Sequence, residues 1–216
     1  MISLVNVFVK YTKEFHALSN INLKADKGEV VALLGPVDSG KTCFLRLLAG
    51  LEKPDKGEIY IKDIPYNKID YKTDVSMGYI PYKTNFFDKK SVYDNLKYVL
   101  EIRKTDKAFL EEQINKVIID FKLESIVDEK IYKLTPFQKY LVSIARLSFR
   151  KLEIVLIDNI FDELTETEIK ELTKLFKKYF TNKDTLVLLA TTREDVAKSL
   201  ATRTICLESG VITKEI

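Results

Sequence analysis

Residues 35–43 of this 216-residue chain read GPVDSGKTC. A glycine, four residues and then Gly40-Lys41-Thr42 is the spacing G-x-x-x-x-G-K-[ST]. Successive backbone N–H groups of such a loop, backed by a helix dipole, cradle phosphates. Lys41 would place a point charge on the outer phosphates, and the Thr42 hydroxyl would ligate Mg²⁺. Asp38 puts a carboxylate into a loop that surrounds negative charge. Asp tolerates left-handed backbone angles better than most residues, so the loop is expected to form with this carboxylate turned to solvent. The second half of a Mg²⁺–nucleotide site is a strand that delivers a carboxylate beside the loop. The apolar run Ile154-Val155-Leu156-Ile157 ending in Asp158 supplies one. Alone, such an Asp is no more than a strand-to-loop transition; its pairing with the loop gives it meaning.

The elements needed to position these residues are legible. EVVALL, residues 29–34, is nearly continuously apolar, as a strand buried on both faces requires, and it leads into Gly35. From Lys41 the apolar residues Phe44, Leu45, Leu47, Leu48 and Leu51 follow helical spacing. The loop therefore sits between a buried strand and a helix N-terminus. Further strands are expected from Ile2, Leu4, Val7 and Val9 (an edge strand), SNINLKA at 19–25, GEIYIK at 57–62, residues 75–80, 154–157 and 185–190, with two short strands around Ser209-Gly210. Residues from about 91 to 150 change character. VYDNLKYVLEIRK, KAFLEEQINKVIIDF and PFQKYLVSIARLSFR all have helical spacing with almost no Gly or Pro. A further helix, TETEIKELTKLFKKY, separates two of the strands. The expectation is one α/β domain over 1–216, its core at about 1–82 and 151–216, with a helical subdomain inserted at about 83–150.

Composition narrows the function. Hydrophobic residues make up 46% and charged residues 31%, with a net charge of +3 from interspersed signs. No Lys/Arg run marks a nucleic-acid surface, so no nucleic-acid partner is expected. No apolar stretch approaches the roughly 20 residues of a membrane helix. MISLVNVFVK lacks a charged leader ahead of an apolar block, so no secretion signal is expected. Cys43 and Cys206 have neither metal nor disulfide spacing, which fits a reduced, cytosolic protein. Cys43 at a helix N-terminus is placed where its pKa can fall, although packing beside the phosphates is the simpler role. His16, the sole histidine, is read as a solvated loop residue.

The order of these motifs resembles the ATP-binding subunit of an ABC transporter, over essentially the whole chain. Lys10-Tyr11 resembles the aromatic that stacks on adenine, although Tyr11 can equally do no more than end a strand. LEKPDKGEIYI is similar to the family's L-x-x-P-x-x-G-x-I passage. MGYIPY followed by NFFDKKSVYDNL resembles the segment leading into the helical subdomain. LTPFQKYLVSIAR falls at the signature LSGGQ and its helix. The resemblance implies ATP and Mg²⁺ as ligands. The nucleotide would be held by Tyr11, Gly35, Pro36, Val37, Asp38, Ser39, Gly40, Lys41, Thr42 and Cys43, and the metal by Thr42 and Asp158. It implies a phosphate-loop NTPase core of ABC-ATPase type with an N-terminal antiparallel β-subdomain and an inserted helical subdomain.

The departures from the family pattern are as informative. Where the family has a Glu that polarises water, this chain has Asn159, and at the proline after that acid pair, Ile160; at the Q-loop glutamine it has Tyr82 and at the switch histidine Thr192. The signature Ser-Gly-Gly is Thr135-Pro136-Phe137. Pro136 has no N–H to donate, and Phe137 is bulky where backbone must approach phosphate. Thr135 and Pro136 nonetheless suit an N-cap and first helical position. No residue is assigned as catalytic. The resemblance further implies a head-to-tail pair with a second ATP-binding subunit, homo- or heteromeric, membrane-spanning transporter subunits and a cytoplasmic place on the inner face of a membrane. Two other readings are kept. One is a soluble ATP-dependent switch or adaptor. The other is a working ATPase in which Asn159 orients water and Asp162 or Glu163 acts as base.

Overall fold

The computed structural model describes residues 1–12, 16–102 and 106–216, and these fall into two compact units. The first comprises Met1–Tyr82, Leu152–Asp162 and Phe180–Ile216 and holds both sheets. The second comprises Lys83–Lys151 and Glu163–Tyr179 and is helical.

In the first unit, β1 (Ile2–Lys10), β2 (His16–Ala25), β4 (Lys56–Ile61) and the short β5 (Ile64–Pro65) form an antiparallel sheet in the order β2-β1-β4-β5. β1 is thus a central strand and not the expected edge, because it pairs with β2 on one side and β4 on the other. Its inner face carries Ile2 and Leu4, then Val7 and Val9. The break in alternation is an irregularity at Asn6, which adopts φ 50° and lets the apolar residues stay on one face. His16 opens β2, exposed, with its ring edge-on to Phe8 at 6.0 Å, so it is a strand residue and not a loop residue.

The second sheet places the chemistry. β3 (Val30–Leu34), β6 (Met77–Ile80), β7 (Ile154–Asp158), β8 (Leu186–Thr191), β9 (Arg203–Glu208) and β10 (Val211–Glu215) run in the order β10-β9-β3-β8-β7-β6. All neighbours are parallel except β9 and β10. Every residue of β7 and β8 is buried, which matches their unbroken apolar runs. The β6 strand begins at Met77 and not at Val75, since residues 75–76 turn into it and the Ser76 carbonyl accepts from Glu153 and Ile154. α1 (Lys41–Leu48) follows the phosphate loop and buries Phe44, Leu45, Leu47 and Leu48. The short α6 (Glu194–Leu200), too brief for its periodicity to be read from sequence, packs along β3 and β8.

The second unit contains α2 (Val92–Ile102), α3 (Lys107–Asp120), α4 (Pro136–Ser148) and all but the last residue of α5 (Glu166–Phe180). Leu96, Leu100, Ile114, Leu141 and Ile144 are buried. α4 starts as its sequence dictates. The Thr135 hydroxyl accepts from the Gln138 N–H at 3.2 Å, the Gln138 side chain accepts from the Thr135 N–H at 2.9 Å, and Pro136 takes the first position. Replacing Thr135 with Ala removes one half of this box. A loss of about 1 kcal/mol is expected in chemical denaturation.

Candidate functional site

The loop from Gly35 to Gly40 is built by backbone constraints that only particular residues meet. Gly40 caps α1 at φ 100°, and a Cβ there would lie 2.5 Å from the Ala17 carbonyl oxygen. A Cβ on Gly35 would lie 2.0 Å from the Leu207 carbonyl oxygen. Asp38 adopts φ 61°, the left-handed conformation expected of it, and with Pro36 and Val37 it is exposed. Ser39 and Lys41 are buried, while Thr42 is exposed at the first turn of α1.

Lys41 folds back over its own loop. Its ammonium donates to the Gly35 carbonyl at 2.7 Å, the Pro36 carbonyl at 2.6 Å and the Ser39 hydroxyl at 3.1 Å. Burial pushes its pKa down, and the carboxylates of Asp162, Asp158 and Asp38 oppose that shift. The cation is therefore central to the loop and set among acidic groups.

The Thr42 hydroxyl donates to Asp158 Oδ1 at 2.9 Å, so the two residues expected at the metal are brought together. Asp158 is itself 1% exposed at the end of β7. Burial raises its pKa; Thr42, Tyr79 and Lys41 act in the opposite direction. An adjacent hydroxyl and buried carboxylate are hard oxygen donors, the chemistry that Mg²⁺ takes. When bound with nucleotide, Mg²⁺ would neutralise phosphate charge here, with Thr42 and Asp158 as the residues that hold it.

Tyr79 was not singled out by its sequence context. Its phenol donates to Asp158 Oδ2 at 3.2 Å. The register explains this: Tyr79 pairs with Leu156 on the parallel neighbour strand, and Leu156 shares a face with Asp158 two residues on. Burial and the nearby Asp158 charge push the Tyr79 pKa up, so it stays a donor. Thr42 and Tyr79 thus fix one carboxylate oxygen each.

At the positions of the departures, Asn159 has φ 52°, and its N–H donates to the Ala190 carbonyl at 3.0 Å. Its buried Oδ1 has no hydrogen-bond partner among the described residues. Asp162 accepts from the Thr191 hydroxyl at 2.8 Å and from the Thr192 N–H at 3.3 and 3.2 Å on its two oxygens. Thr192 and Tyr82 are exposed. Tyr11 follows β1 directly and is 83% exposed, open to a stacking partner and in contact with no core.

Of the two roles open to Cys43, the structure favours packing. Its thiol pKa is raised to about 11, first by burial and then by the Glu52 charge, against the smaller pull of Arg46. The helix N-terminus does not prevail because the side chain is partly buried against the hydrophobic core. At pH 8 only roughly one thiol in a thousand would be ionised. Iodoacetamide is expected to label Cys43 about 100-fold more slowly in the folded chain than in urea, as followed by peptide mass spectrometry.

A parallel sheet with a phosphate loop after one strand and an acid at the end of another defines a phosphate-loop nucleotide-binding core. The chain belongs to the ABC transporter family: the sequence profile of that family matches residues 18–162. Among curated relatives, the "Probable sulfate/thiosulfate import ATP-binding protein CysA" of Chlorella vulgaris is 29% identical over 97% of this chain and 88% of its own length. The "Spermidine/putrescine import ATP-binding protein PotA" of Mycoplasma capricolum is 29% identical over 93% of this chain and 58% of its own length. The chain spans 59% of the Synechocystis "Sulfate/thiosulfate import ATP-binding protein CysA". Among solved structures, the ATP-binding cassette MJ0796, described as a dimer in a post-hydrolysis state bound to ADP and Pi, superposes with a TM-score of 0.89 at 26% identity. That match covers 100% of this chain and 98% of that one. Among the described residues no helix is long and apolar enough to cross a membrane.

Proposed function

We propose that this chain is the ATP-binding subunit of an ABC transporter-type complex. It binds Mg-ATP through residues 35–43 with Tyr11 against the base, hydrolyses it weakly or not at all, and works beside a second, catalytically complete ATP-binding subunit. The whole chain, 1–216, serves as one ABC domain with its helical subdomain at about 83–150. The observation that carries this reading is that residues suited to phosphate and metal lie together, next to an amide where a base belongs. Lys41, Thr42 and Asp158 converge, while Asn159 follows Asp158. An amide orients water but does not accept its proton at neutral pH, and removing general-base help costs about 10²–10⁴-fold in rate.

Asp162 is a poor substitute base, since both its oxygens already accept from Thr191 and Thr192. The signature end of α4 is equally occupied. The Thr135 hydroxyl and Gln138 amide bond to each other's backbone, and Pro136 offers no N–H. A phosphate presented by a second chain would find few donors there. A homodimer would therefore be inert at both sites, which favours a heteromeric, head-to-tail pair. The names of the relatives support import and membrane-spanning partners. Such a subunit would take a peripheral place on the cytoplasmic face of a membrane. The MJ0796 dimer supports pairing.

Release of labelled phosphate from γ-labelled ATP tests the catalytic half of the reading. The purified chain is expected to release phosphate no faster than its Lys41→Ala variant. Turnover on the order of 1 s⁻¹ or faster in the wild type, lost in that variant, would make this chain a competent ATPase.

A further inference from the structure

The phosphate loop is tied to an acidic clasp. Leu34, the residue before the loop, pairs in register with Thr191. The Gly35 N–H donates to the Thr191 carbonyl at 3.4 Å. The Thr191 hydroxyl turns the other way and donates to Asp162 at 2.8 Å, while accepting from the Arg193 N–H at 3.1 Å. The Thr192 N–H holds both Asp162 oxygens. On the loop side, Lys41 Nζ rests on the carbonyls of Gly35 and Pro36. Asp162, Thr191, Gly35 and Lys41 are therefore one contiguous cluster in the first unit. The carboxylates of Asp162, Asp158 and Asp38 all act on the Lys41 ammonium, against its burial.

Two neutral donors, the Thr191 hydroxyl and the Thr192 N–H, fix the Asp162 carboxylate in place, and no cation pairs with it among the described residues. Asp158 is likewise held by two neutral donors, Thr42 and Tyr79, but it stands at the metal position, where Mg²⁺ would offset its charge. Lys41 is the group expected to meet the outermost phosphates, so a fixed carboxylate in the same cluster would act more on the last phosphate of a triphosphate than on a diphosphate. Like charges at short range in a half-buried site repel strongly, and solvent screens only part of that repulsion.

We propose that Asp162 is a specificity-determining residue that cancels the affinity gained from a third phosphate, so that the loop holds Mg-ADP about as tightly as Mg-ATP. This rests on the reading of residues 35–43 as a nucleotide site and adds what that site distinguishes. The chain then stays loaded whichever nucleotide is at hand, as a structural subunit requires, and does not report the exchange of one for the other.

Calorimetric titration of the full chain with Mg-ADP and with Mg-ATP tests this, in the wild type and in Asp162→Asn and Asp162→Ser. Both replacements retain an oxygen that accepts from Thr191 and Thr192, so the clasp is expected to fold, and either one suffices for the comparison. In the wild type the two dissociation constants are expected to agree within about threefold. In the variants Mg-ATP is expected to bind about tenfold more tightly, with Mg-ADP moved by less than about threefold. A wild type that prefers Mg-ATP by more than tenfold, or variants in which both nucleotides move together or neither moves, would overturn the role of Asp162 and leave the nucleotide site standing. Binding of neither nucleotide by the wild type would remove the site and the proposal together.

Discussion

Replacing Lys41 with Ala is expected to weaken Mg-ATP binding by about 100-fold or more, while the melting temperature moves by only a few degrees. The two outcomes follow from one geometry. The ammonium is buried and held by two carbonyls and a hydroxyl of its own loop, a position from which it swings onto phosphate by exchanging acceptors. Charge-assisted hydrogen bonds are worth roughly 1.5–3 kcal/mol each, and about 2.7 kcal/mol is already a factor of 100 in affinity. For stability, burial of the charge works against the bonds it makes, as its lowered pKa indicates, so the net loss is small. Titration calorimetry and thermal melting check the pair. Affinity within threefold of wild type would place the phosphates elsewhere.

Gly35→Ala is expected to cost about 3 kcal/mol or more in urea unfolding and to abolish nucleotide binding. The added methyl would lie 2.0 Å from the Leu207 carbonyl oxygen of β9 and 2.8 Å from the Ser39 hydroxyl. β9 pairs with β3 through Leu33–Ile205 and Leu34–Cys206, so it cannot yield without breaking the sheet that carries the loop. Overpacking of this kind typically costs about 1–3 kcal/mol even among flexible side chains, and backbone is less forgiving. Gly28→Ala is the comparison. Its φ is 84°, but its nearest neighbour is 3.5 Å away, so only the left-handed strain of about 1–2 kcal/mol is expected, with binding intact. Equal losses at the two positions would mean that the Leu207 contact is relieved by an easy backbone shift.

Much of the fold was legible because its strongest signals are local. The runs EVVALL and IVLID have the composition of strands buried on both faces, and the structure makes them neighbours of β8 in one parallel sheet. The phosphate loop declared itself by glycine spacing, and its glycines stand where a Cβ has no room. What could not be read locally depends on pairing. β1 looked like an edge because strand order is not a property of one strand. Tyr79 was passed over because its meeting with Asp158 is set by the β6–β7 register. The choice between the two roles of Cys43 could not be made locally, because its burial is decided by neighbours remote in sequence. The Asp162 clasp joins residues about 30 positions apart through loop geometry that no periodicity encodes.

The measurement that tests the account most directly is titration of the purified wild-type chain with Mg-ATP by calorimetry. Saturable binding at one site per chain is predicted, because Lys41, Thr42 and Asp158 converge on the loop at residues 35–43. Absence of binding at millimolar Mg-ATP would contradict it. Asp38 and Asp162 would then have emptied the cradle, and the chain would serve as a scaffold without a nucleotide.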